Sequence, residues 1–113
     1  LDIRSRQWSP EILSALGLPA DLFPAVREST ELTGYKDKVP VVAGAGDQAA
    51  SGVGTGAVEA GILSLSLGTS GVAFAALPQL QTSESSAVQN FCHANGAWHA
   101  MAVVLSAGGA ISW

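Results

Sequence analysis

Apolar and polar side chains alternate along Ile62-Leu63-Ser64-Leu65-Ser66-Leu67, Gly68-Thr69-Ser70-Gly71 interrupts them, and an apolar run resumes over Val72-Ala73-Phe74-Ala75-Ala76-Leu77. Period-two alternation sends successive side chains to opposite faces, so this stretch predicts a β-hairpin with Gly-Thr-Ser-Gly at its tip. A second pair of runs, 88–93 and 98–105, flanks Ala94-Asn95-Gly96-Ala97, and Asn-Gly is a strong hairpin-turn signal. Upstream, the β-branched run Val39-Pro40-Val41-Val42-Ala43 reads as a buried strand flowing into Gly44. Trp8-Ser9-Pro10-Glu11 predicts a helix start. Ser9 serves as N-cap, Pro10 takes the first position where its missing N–H costs nothing, and Glu11 sits in the first turn, with Gly17 and Pro19 ending the element. A second helix begins at Asp47 and runs toward Gly56; a third opens at Ser106-Ala107-Gly108-Gly109 and spans less than two turns before Trp113. Residues 22–32 contain a turn at Phe23-Pro24 and otherwise follow no period.

Composition changes this picture in one respect. The 113 residues suit one ordinary domain, yet only 12% are charged against 48% hydrophobic, about half the usual share of charge. All five basic residues (Arg4, Arg6, Arg27, Lys36, Lys38) precede Val39, and beyond it only Asp47, Glu59 and Glu84 carry charge. A nucleic-acid surface needs clustered Lys and Arg to displace counterions, so that class of partner is excluded. So apolar a half makes a poor free surface, and the expectation is that protein outside this chain covers it, or that isolated copies self-associate. No apolar run approaches the roughly 18 residues of a membrane helix. There is no leader-like stretch at Leu1, and the lone Cys92 fits a reducing compartment, so the cytoplasm is the expected location. Both ends read as cut from something longer.

The candidate chemistry centres on Gly44-Ala45-Gly46-Asp47-Gln48-Ala49, which fits G-x-G-x-x-A between a strand and a helix. A dinucleotide-binding turn has that spacing, but it lays a pyrophosphate against the helix N-terminus, where the Asp47 carboxylate would repel it. As a plain N-cap, Asp47 would stabilise the helix by about 1 kcal/mol. With Gln48 beside it, the pair instead suits hydroxyl binding: the acid accepts from an alcohol and the amide orients a neighbouring one. Gly68-Thr69-Ser70-Gly71 is either a simple turn or a phosphate clamp of converging backbone N–H groups and hydroxyls, the latter leaving most charge neutralisation to a metal held elsewhere. Cys92, His93 and His99 have irregular spacing that falls short of a zinc signature, and packing around the hairpin is the better account. Neither Ser66 nor Ser70 lies in G-x-S-x-G, so a serine hydrolase is discarded.

Taken in order, VPVVAGAGDQAASGVGTG, LSLSLGTSGV and FCHANGAWHAMAVVLSAGGAISW resemble three consecutive blocks of the FGGY family of carbohydrate kinases, the third being most similar to its xylulokinase branch. The resemblance implies an α/β fold: a fragment of the actin-like, ribonuclease-H-like two-domain sugar kinase, with mixed sheets and flanking helices. Residues 1–60 would end the first, sugar-binding domain and residues 61–113 begin the second, ATP-binding one. It implies transfer of the γ-phosphate of ATP, with Mg2+, to the terminal hydroxyl of D-xylulose in a protein roughly fourfold longer, the 113 residues alone being inactive. Asp47 matches the catalytic acid, Gln48 a sugar-binding position where many xylulokinases carry Asn, Gly68, Thr69 and Ser70 the loop meeting the transferred phosphate, and Gly108 a glycine near the nucleotide phosphates. No metal ligand falls within the chain, and no nucleic-acid or membrane partner is implied; a homodimeric parent is compatible. Kinases of glycerol, ribulose, gluconate or fuculose are the alternatives within the family. Outside it stand a scaffold that kept the fold without turnover and a dinucleotide-binding domain.

Overall fold

The alternating segments assemble as their period requires. In the computed structural model, which describes residues 1–82 and 86–113, β3 (Leu63–Leu67) and β4 (Gly71–Leu77) form the hairpin with Gly68-Thr69-Ser70 at its tip. β5 (Gln89–Cys92) and β6 (Trp98–Val104) form the second, with Gly96 at φ +82° in the turn. The two hairpins join through β4 and β6 into one antiparallel sheet of order β3-β4-β6-β5. Glu84 lies outside the described residues.

Ahead of this sheet lies a smaller one. β1 (Leu32–Lys36) pairs antiparallel with β2 (Val39–Val42), the register Lys36↔Val39 leaving Asp37-Lys38 as a two-residue turn. Both turn residues have positive φ, 50° and 70°, as the hairpin turn matching the strand twist demands. The Val39 run is therefore a strand, as its β-branching indicates, but an exposed one: Val39, Val41 and Val42 are 62%, 42% and 50% exposed. An antiparallel pair of this kind is also not the parallel βαβ unit that a dinucleotide turn opens, which removes that reading.

Helix α1 (Pro10–Ala15) begins as expected, with Ser9 Oγ accepting from the Ile12 N–H and Pro10 at its first position. It ends at Gly17, whose φ of +63° glycine adopts without the strain a Cβ would bring. Trp8 closes the segment back on itself by donating Nε1–H to the Pro24 carbonyl at 2.7 Å and packing on Phe23, ring centroids 5.0 Å apart. Helix α2 spans Asp47–Gly54 and helix α3 Gly108–Ile111.

The core sits between α2 and one face of the four-stranded sheet. On that face the register brings Phe74, Ala76, Phe91, His99 and Met101 side by side. Gly52 of α2 presses on it: a Cβ there would lie 2.7 Å from Phe74 Cζ and 3.3 Å from His93 Cε1. His93 then bolts the end of the helix. Its Nδ1 accepts the Ala94 N–H at 2.9 Å, so its proton resides on Nε2, which donates to the Ala57 carbonyl at 3.2 Å. Asn95 adds Nδ2–H to the Val58 carbonyl at 2.9 Å. His99, 3% exposed, stacks on Phe74 (4.5 Å) and Phe91 (5.4 Å). Burial, with the neighbouring His93, lowers its pKa to about 4.

At the β3 edge the sheet's other face is bare. Leu63, Leu65 and Leu67 point away from α2 and are 59–75% exposed. The radius of gyration is 16.5 Å, against about 13 Å for a compact domain of this length. A long-range clasp ties the start of the chain to the β5–β6 turn: Arg6 pairs with Glu28 at 2.7 Å, donates to the Gly96 and Ala97 carbonyls and lies 4.5 Å over the Trp98 ring, whose Nε1–H bonds the Ile3 carbonyl.

Two outcomes follow for stability. Gly52→Ala gains up to about 1 kcal/mol of helix propensity but overpacks Phe74, which is itself wedged between two histidines; a net loss of about 1–2 kcal/mol is expected in urea denaturation. Because the folded His99 binds its proton only near pH 4 while an unfolded histidine does so near 6.5, the unfolded state holds more protons between those values. Stability is therefore full above pH 6.5 and falls as the pH drops toward 4; His99→Phe flattens that part of a melting-temperature profile.

Candidate active site

Asp47 occupies the first turn of α2, but as its first helical residue: Gly46 is the N-cap, with extended φ and ψ and no side chain to bond the helix. The bare glycine leaves the capping to the residue after it, and Asp47 Oδ1 accepts the Gln48 N–H at 2.8 Å. Gly44, at φ +79°, turns the chain from β2 into this start. One carboxylate oxygen is thus engaged by its own backbone.

Asp47 and Gln48 open together into a cavity of about 630 Å3, whose far wall is the β5–β6 side of the sheet, including Asn90, Phe91, His99 and Met101. Gln48 also reaches a narrow crevice between α2 and the β3–β4 hairpin, shared with Ser64, Ser66 and Phe74. Within the large cavity the polar inventory is small. Asp47 accepts, the Gln48 amide does both, and Asn90 Nδ2–H is committed to the Gln81 carbonyl at 2.7 Å. Such a site, apolar with a few convergent polar groups, suits a small hydroxylated molecule better than an anion.

A second cluster forms at the tip of the β3–β4 hairpin. The Gly68 N–H bonds the Ser70 carbonyl at 2.8 Å, and the start of α3 folds over the loop: Ala107 N–H donates to the Thr69 carbonyl at 2.8 Å and Gly108 N–H to the Gly68 carbonyl at 2.9 Å. A Cβ on Gly108 would run into the Gly68 oxygen, so a glycine is required by the contact itself. The Ser70 hydroxyl donates to the Leu105 carbonyl at 3.2 Å; its proton is used in holding the loop, contrary to a free donor. With the Gly68 and Thr69 carbonyl oxygens paired to α3, the loop turns fewer negative dipoles toward an approaching anion. Gly68, Thr69, Ser70 and Gly108, remote in sequence, thus lie together, while Asp47 and Gln48 share the other cavity.

Cys92 and the histidines take the packing roles their spacing suggests. No group of three His, Cys, Asp or Glu side chains able to hold a metal occurs among the described residues. Burial pushes the Cys92 thiol up, against a smaller opposing pull from Arg6, which disfavours a thiolate nucleophile. Sequence reasoning missed that His99 lines the Asp47 cavity. The sequence carried part of the signal, since on a strand of period two His99 and Met101 share a face; that this face lines a cavity with the start of α2 is a tertiary fact.

Comparison with known proteins adds the context. Residues 1–54 match the model of the N-terminal domain of the FGGY family of carbohydrate kinases. The whole chain is 44% identical over 124 aligned residues to the xylulose kinase of Escherichia coli, of which it covers 26%. It is 38% identical over 74 residues to a glycerol kinase of Thermococcus kodakarensis, the match taking in 60% of this chain and 15% of that enzyme. A crystal structure of a xylulose kinase from Brucella ovis superposes on all of it with a TM-score of 0.92 at 46% identity, this chain covering 24% of that one. The chain thus spans about a quarter of the length of the curated relatives it matches, and its mixed α/β architecture is that of the corresponding part of a sugar kinase of the actin-like fold. On the matched domain, the identity along the entire chain and the superposition, the chain is similar throughout to carbohydrate kinases of the FGGY family.

Proposed function

We propose that these residues serve an ATP-dependent kinase of D-xylulose, residues 1–60 closing its sugar-binding domain and residues 61–113 opening its nucleotide-binding domain. The observation that carries the reading is the placement of Asp47 and Gln48 at the head of one helix, lining one cavity, in a chain similar over its full length to xylulose kinases. Asp47 accepts a hydrogen bond from the terminal hydroxyl of the sugar and aims its oxygen at the γ-phosphate, and Gln48 fixes the adjacent hydroxyl. Phosphoryl transfer proceeds through a loose transition state, so positioning matters more than base strength. As the bond to phosphorus forms, the hydroxyl proton passes to the carboxylate and ADP leaves.

The Gly68-Thr69-Ser70 loop, with Gly108 packed beneath it, receives the phosphate end of ATP. Its glycines permit close backbone approach, and Thr69 supplies a hydroxyl. Kinases of this type work on the Mg2+ complex of ATP; the described residues do not by themselves make a site for that ion, and no step here is routed through it. The exposed leucine face of β3 supports self-association of the isolated 113 residues, which would not turn over, and the cytoplasm is the compartment in which ATP and a free Cys92 belong together. The glycerol kinase likeness over 60% of the chain makes a polyol the second substrate class to test.

In the full-length enzyme, Asp47→Asn is expected to lower kcat for D-xylulose by about 100-fold or more while the KM for ATP stays unchanged, read by ADP release. Turnover that peaks on glycerol instead would keep the kinase and reassign its acceptor. Gly108→Ala displaces the Gly68 carbonyl and with it the loop; a kcat loss of at least about tenfold is expected, with the sugar KM near its original value.

A further inference from the structure

His99 is the buried polar side chain whose hydrogen bonding the fold leaves incomplete. Nδ1 is fully shielded from solvent and has no hydrogen-bond partner among the described residues. Native structures rarely bury an unpaired N–H, and an unpaired acceptor is the lesser cost. Nδ1 is therefore the lone-pair nitrogen, and the ring proton sits on Nε2. The ring is neutral at pH 7, being depressed to about 4, and Phe74 and Phe91 stack against it at 4.5 and 5.4 Å. Those stacks and the β6 backbone fix its orientation. With Nδ1 sealed, only Nε2 can address the cavity that His99 lines with Asp47 and Gln48.

That cavity has an acceptor on one wall, Asp47, and its side-chain donors are few: the Gln48 amide, and Asn90, one of whose two Nδ2 hydrogens is committed to the Gln81 carbonyl. A sugar hydroxyl gives one hydrogen bond and takes another. An uncharged donor opposite the acid completes the set without pairing with Asp47 as a salt bridge, which a cation in the same place would do.

We propose that His99 is a substrate-binding residue whose Nε2–H donates to a hydroxyl or carbonyl oxygen of the ketose held between α2 and the sheet. This rests on the sugar-kinase reading above. His99 would choose among acceptor sugars by the position of that oxygen, whereas Asp47 acts on whichever hydroxyl is in line.

The test uses the full-length enzyme. Wild-type turnover of D-xylulose that Asp47→Asn abolishes establishes the kinase reading independently. His99→Phe keeps the aromatic stack and deletes the donor: the ketose KM is expected to rise roughly five- to thirtyfold with kcat within about twofold and the ATP KM unchanged. His99→Gln, which restores an N–H donor, should recover most of the loss. An unchanged ketose KM, or an equal rise in both KM values, overturns the assignment and leaves the kinase intact. Should His99→Phe not fold, 15N spectra of histidine-labelled wild type replace it. Movement of the His99 Nε2 resonance on adding D-xylulose, and not on adding ATP alone, supports the contact, and an unmoved resonance overturns it. Absence of wild-type turnover on any sugar overturns both readings.

Discussion

The placement of Asp47 and Gln48 depends on the absence of a side chain at Gly52. There α2 meets the sheet closely enough for its backbone to touch the Phe74 ring, and the ring in turn is held by His93 and His99. Asp47 lies five residues earlier on the same helix, roughly 7.5 Å along its axis. Tilting the helix about that contact would swing the carboxylate across the cavity. The hydrogen bonds from His93 to the Ala57 carbonyl and from Asn95 to the Val58 carbonyl hold the segment following the helix, so the short α2 is fixed by tertiary contacts. Eight residues, two of them glycine, would scarcely be helical alone.

Much of this was legible because the governing signals are local. Ser9-Pro10 names a helix start whatever surrounds it, and Asn95-Gly96 names a turn. The smaller sheet was not legible for the opposite reason. Its turn is Asp37-Lys38, and a lysine at φ 70° gives no compositional hint; the pairing with Leu32–Lys36 holds it there. The valine run from Val39 was read as buried from its hydropathy, but burial is a property of neighbours, and among the described residues β2 pairs with β1 alone. The same limit hid the part His99 plays. Its identity and its strand were evident, but which helix lies over that face is a long-range fact.

The alternation in β3 has a meaning that composition alone obscures. Its serines, Ser64 and Ser66, lie on the side of α2, and its leucines face outward. A strand that turns its serines toward its own helix and presents exposed leucines outside expects a larger partner there than any described element of these 113 residues. The low charge beyond Val39 and the expanded dimensions point the same way.

The Arg6 clasp carries a consequence for the order of assembly. It joins residues 90 and 91 positions apart in sequence, whereas the pairings within β3 to β6 span at most 33 positions. Closing so long a loop costs chain entropy before any contact returns it. The four-stranded sheet is therefore expected to form first and to present the Gly96–Trp98 turn as a finished cradle, onto which the segment around Arg6 docks last. During synthesis that segment emerges before its receptor, so Arg6 spends the interval without its contacts to Gly96, Ala97 and Trp98.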